Sequence, residues 1–202
     1  DCLLSRGLGD VYKRQGQEQK KRDSAEKNAA NLALLRLCRQ YNVIALYMRD
    51  TLAEHKSSPV RYIQVGANVP GLHEGDRVDQ NSLTFLVERE HTGLLSEILL
   101  EDDRFESIMQ NIHRRAEHHV TYVQPALEKV GERFIRADIE KELGMRHVRT
   151  MQSYTDSVYD QIEKSLITLK DCIDNFHAAM KSHYPNAVSY THLRAHETRG
   201  NL

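Results

Sequence analysis

Between Gly144 and Pro185 the apolar positions fall at Val148, Met151, Val158, Ile162, Leu166, Leu169, Ile173, Phe176 and Met180, with Thr155 interrupting the series. Steps that alternate between three and four residues keep a stripe on one helix face, so the pattern predicts one long amphipathic helix over 145–184. Gly144 and Pro185 supply its start and stop. The same rhythm recurs earlier in the chain. Leu34, Cys38, Tyr41, Ala45, Met48 and Leu52, widened by Leu37 and Ile44, predict a second long helix over about 17–55, ended by Ser57, Ser58 and Pro59. A third apolar face, from Leu94, Leu95, Ile98 and Leu99 to Phe105, Ile108, Met109 and Ile112, belongs to a helix running from Thr92 to Val120.

The segments between these helices carry weaker signals. An irregular connection is expected over 56–81: Val60–Val65 is extended in pattern but lacks the partner strands a sheet needs, and the chain continues through Gly66, Pro70, Gly71 and Gly75. A connection of that length either serves as an exposed contact loop or simply crosses between helices. Helices then fill 82–143. The first is short and capped by Asn81 or Ser82, and Pro125 predicts a kink or break at Gln124. Short pieces at Pro125–Val130 and Asp138–Leu143 turn the chain back toward the last helix. The fold read from this order is all-α: an elongated antiparallel bundle of three long helices with short connecting helices, forming a single domain over 16–187.

Composition sharpens that picture. Hydrophobic residues make up 40% of the chain, charged residues 28%, and mean hydropathy is −0.62, so the apolar residues must be gathered on stripes. A formal charge of −1 and a pI near 6.9 give no electrostatic case for nucleic acid. Cys2, Cys38 and Cys172 are widely spaced and form no metal-ligand pair. The latter two sit on or beside apolar seams, where cysteine packs as a small hydrophobe.

Candidate chemistry is sparse. Glu88 and His91 match the Glu-x-x-His spacing that places carboxylate and imidazole on one helix face in metal-binding bundles, and Asp174 with His177 is a weaker version. A di-metal site needs further inward carboxylates, and none falls on the apolar seam of the first or last helix. These pairs are therefore read as solvated flanking residues. The cluster from His113 to His119 reads as a solvated helix segment, because His113 and His118 are five apart and Glu117 dilutes the charge. Tyr41, Tyr47, Tyr154, Tyr159 and Tyr184 lie on the long helices as boundary residues with wet hydroxyls, or as one side of a partner surface. No nucleotide-binding glycine loop or nucleophile elbow is present, so no catalytic residue or cofactor is assigned and an enzyme is disfavoured.

The ends of the chain carry a resemblance of another kind. Residues 1–15, with Asp10 to Gln15 the specific part, and residues 188–202, with Ser189 to Thr198, resemble translated sequencing-adapter or transposon-end read-through. The resemblance implies that both are non-native tails. The core over 16–187 is similar in general pattern to helical cytoplasmic regions that follow a membrane anchor in uncharacterised bacterial proteins. Lys20, Lys21 and Arg22 suit the cytoplasmic flank of such an anchor, lost upstream. The expectation is thus a helical interaction or scaffold protein, cytoplasmic, with tethering to the inner membrane left open. Its partner is another protein or a second copy of itself. The alternatives are a helical-bundle metalloprotein using Glu88 and His91, and a self-assembling coiled-coil module.

Overall fold

The computed structural model describes residues 2–71, 75–131 and 135–185, and among these every regular element is helical. Helix α1 spans Cys2–Tyr47 and runs on through a π turn at Met48–Leu52 and a 3-10 turn at Ala53–His55. One-turn helices follow at Arg61–Gln64 (α2) and Phe85–Glu88 (α3), the latter preceded by a 3-10 turn at Gln80–Leu83. Helix α4 spans Thr92–His118 and passes through a π turn at His119–Val123 into α5, Gln124–Val130. Helices α6, Arg136–Leu143, and α7, Met145–His183, complete the order.

The 39 residues of α7 make a rod of about 58 Å. Its predicted seam is the observed one except at Leu166, which is half-buried beside the buried Ser165: Val148, Met151, Val158, Ile162, Leu169, Ile173, Phe176 and Met180 are all buried, and so is Thr155. Contacts from α7 fix the helix directions. Arg115 meets Thr155, Asn111 meets Gln161 and Arg104 meets Thr168, so α4 and α7 run antiparallel. Glu26 meets Tyr184 and Leu52 meets Tyr159, so α1 and α7 are antiparallel as well. It follows that α1 and α4 run in the same direction. The connection over 56–91 must therefore travel back along the length of the bundle, and it does so between them.

That connection is part of the interior. Val65, Val78, Leu83, Phe85 and Leu86 are buried in one apolar core with the stripes of α1, α4 and α7. A second, smaller cluster joins Tyr62 and Ile63 of α2 to Val123, Ala126, Ile139, Leu143, Val148 and Met151 near the start of α7.

Several local expectations are corrected. Val60–Val65 contains a helical turn in place of extended chain, and the turn buries Tyr62 and Ile63 together; no strand occurs among the described residues. Asp79 is the cap near residue 80, its carboxylate accepting from the Asn81 amide at 3.1 Å. Gln124 is helical, with φ −57° and ψ −48°. The five-residue π turn closes with the Gln124 amide on the His119 carbonyl, and Pro125 then opens α5, where a missing N–H costs least. The first helix extends through residues 2–15 as α1, while the 188–202 stretch lies outside the described residues.

The predicted stripe of the first helix is buried at Leu34, Leu37, Cys38, Ile44 and Leu52, with Tyr41, Ala45 and Met48 half-buried. The buried face also takes in Glu26, Ala30, Ala33, Gln40 and Tyr47. Two polar residues thus occupy the stripe, and the expectation that no acidic residue lies on it is wrong for Glu26.

Candidate functional site

The interior polar side chains gather on the returning connection. Asp102 of α4 is buried and accepts through Oδ1 from Gln40 Nε2 at 2.6 Å and from the Val78 amide at 3.0 Å, and through Oδ2 from Arg77 Nε at 2.7 Å. Gln40 of α1 also donates to the Asp76 carbonyl at 2.8 Å, and Arg39 pairs with the Asp76 carboxylate at 2.8 Å. Arg77 spreads its remaining donors over Asp103 and Glu106. Residues 76–78 are therefore held by both parallel helices at once.

One end of the connection is held by a different chemistry. Arg115 of α4 is fully buried and donates to Thr155 Oγ1 at 3.1 Å, to the Gly66 carbonyl at 2.8 Å and to the Val65 carbonyl. These partners are neutral oxygens in place of a carboxylate. Burial pulls the guanidinium below its usual range, and the neighbouring hydroxyls of Tyr47 and Tyr159 act in the opposite direction. One helical turn further on, the buried His119 ring meets the Ile63 carbonyl at 3.1 Å through Nε2. Burial lowers its affinity for a proton, and Arg115 adds to this, against the favourable carbonyl contact.

At the other end Arg89 donates to Glu26 at 2.9 Å, and the Tyr184 hydroxyl donates to the same carboxylate at 2.5 Å. Burial raises the Glu26 carboxyl, but the hydrogen bonds from Tyr184, Arg89 and Arg22 outweigh it and hold the group below its ordinary range. The same contact, after burial, pushes Tyr184 up to about 12.

The solvated reading of His113–His119 is thus corrected for Arg115 and His119, which are core residues. The wet-hydroxyl reading fails for Tyr159, which donates to the Leu52 carbonyl at 2.7 Å, and for Tyr184, which caps α7 from outside it. Thr155, which interrupts the apolar series, accepts from Arg115, and that interruption is the one sequence signal that pointed to this cluster.

Glu88 and His91 do not share a helix face. Helix α3 ends at Glu88, and Glu90 adopts the left-handed region at φ 63° while the His91 amide closes on the Leu86 carbonyl at 2.7 Å, a Schellman-type stop. Glu88 then pairs with Arg22, and His91 meets His183. Asp174 pairs with Lys170. Among the described residues no group of three or more His, Cys, Asp or Glu side chains is placed to hold a metal ion. Cys38 and Cys172 are free and buried, and burial pushes their thiols up to about 11 and about 12, which disfavours the reactive thiolate.

A groove of about 280 Å³ between α4 and α7 presents Ser107, Ser165 and Thr168 beside Arg104 and Lys164. Both cations are already engaged, with Glu101 and Asp160. No helix among the described residues is long and apolar enough to cross a membrane. No protein family, curated protein or solved structure matches the chain.

Proposed function

We propose that this chain is a non-catalytic helical scaffold whose long connection, fixed in place along the bundle, is its contact surface for a protein partner. The observation that carries the reading is the convergence of four buried polar side chains of α1, α4 and the turn after it on that one segment. Gln40, Asp102, Arg115 and His119 all direct their hydrogen bonds at backbone groups of residues 63–78. A recognition loop gains affinity from being pre-ordered in this way. Val69 is 37% exposed on this segment, next to the half-buried Pro70.

The test is site-specific photo-cross-linking in the source organism, with the reactive side chain at position 69 and, as control, at the exposed position 167 of α7. A discrete adduct from position 69 alone supports the reading. Adducts of equal yield from both positions, or none from 69, contradict it. The cytoplasmic setting and a membrane tether upstream of Lys20 belong to the same proposal, and recovery of the unbroken gene tests them.

Self-association is a second reading, favoured by the exposed Leu32, Leu35 and Leu46 on α1. Light scattering that gives a monomer mass at every concentration would remove it. The Glu-x-x-His metalloprotein reading loses its geometric support, since its two residues lie on separate elements.

A further inference from the structure

His118 of α4 and His147 of α7 face each other, with Nε2 and Nδ1 3.3 Å apart and ring centroids 5.2 Å apart. A second pair, His91 and His183, joins the start of α4 to the end of α7, with Nε2 to Nε2 2.9 Å and centroids 5.1 Å. The two pairs have different shapes. An imidazole nitrogen lies roughly 1.2 Å from its ring centroid, so an in-line N–H···N bond of ordinary ~2.9 Å length sets the centroids about 5.2 Å apart. His91 and His183 fit that arrangement.

His118 and His147 do not. In line at their own separation, the centroids would stand about 5.6 Å apart, so the observed rings approach at an angle. Two imidazole nitrogens bound to one tetrahedral ion at about 2.05 Å are separated by about 3.3 Å, and their centroids by about 5.2 Å. Both distances between His118 and His147 agree with this.

We propose that His118 and His147 form a two-histidine site for a divalent transition ion of the zinc class, bridging α4 to α7. Imidazole is a suitable ligand for such ions, and the remaining coordination positions go to water. The rings are held by neighbours of their own: Tyr122 stacks on His147 with centroids 4.0 Å apart, and Tyr154 stands edge-on to His118 at 5.9 Å. Outer contacts that fix imidazole orientation are what make a ligand pair ready for an ion.

The experiment is calorimetric titration of chelator-treated full-length protein with zinc sulfate alone at neutral pH. One equivalent saturates the site, and His118→Ala and His147→Ala each weaken it at least tenfold. His91→Ala, His183→Ala and a His192→Ala/His196→Ala double variant leave it unchanged. On the unsubstituted protein, zinc also slows diethyl pyrocarbonate modification of His118 and His147, a readout that does not depend on a variant folding. The proposal is overturned by the absence of saturable binding, by affinity that follows the other histidines, or by unaltered modification of this pair in zinc.

Discussion

The Arg115 guanidinium sits among carbonyl and hydroxyl oxygens, and its removal leaves the buried Val65 carbonyl and the half-buried Gly66 carbonyl without those donors. An unsatisfied buried acceptor costs about 1–3 kcal/mol, offset in part because the guanidinium no longer has to be desolvated. Arg115→Met is therefore expected to lower unfolding free energy by about 2 kcal/mol in urea, and Arg115→Lys to recover little of it, because an ammonium cannot reproduce the planar fork. Two groups give the pH dependence a definite sign. Glu26 has a depressed folded pKa, so its stabilisation is present above the unfolded value of 4.5 and is lost as pH falls through the folded value. His119 is also depressed, from 6.5, so its contribution is present above that value and declines as pH falls below it. Melting temperature should thus begin to fall in mildly acidic solution, before the carboxylates titrate. His119→Gln should reduce the slope between pH 7 and pH 5, to which the likewise lowered His118 also contributes, and Glu26→Gln the slope at lower pH. Neither residue was legible in the sequence as interior. A charged side chain on a helix reads as solvated, and the partners that bury Arg115 and His119 are backbone carbonyls some fifty residues away, which no local pattern reveals.

Among the elements, α7 was readable in full because nearly every seam position is apolar and its ends are marked by Gly144 and Pro185. The first helix was readable through Leu34, Leu37, Cys38, Ile44 and Leu52 but not where Glu26 and Gln40 share its buried face, because a hydrophobic pattern passes over polar residues. The π turn at Met48–Leu52 adds an offset, carrying burial from Tyr47 to Leu52 in a step of five. The junction between α6 and α7 supplies an element-scale test. Gly144 adopts φ 79° and ψ 143°, a region nearly restricted to glycine, although an added Cβ would meet no atom within 4 Å. Gly144→Ala should cost about 1–3 kcal/mol through backbone strain alone, with the circular dichroism of the folded protein unchanged. Gly16→Ala, in a helical position with the same open surroundings, should be neutral or slightly stabilising by the same urea measurement.

At the scale of the molecule, the parallel course of α1 and α4 is the feature from which the rest follows. It obliges the chain to return along the bundle, and the returning segment enters the groove between the two helices, burying Val65, Val78 and Leu83 where direct helix packing would otherwise be. Irregular backbone in such a place needs partners for its own N–H and C=O groups, and α1 and α4 provide them from Gln40, Asp102, Arg115 and His119. The length of this connection and its glycines and proline were legible from the chain alone, and they describe an exposed loop equally well. Amide hydrogen exchange read residue by residue tests the arrangement most directly. The account predicts that the Val78 amide, held by Asp102, exchanges as slowly as amides in the middle of α4, and that Asp102→Ala frees residues 76–78 while α7 stays protected. Rapid exchange at Val78 in the unsubstituted protein would contradict it.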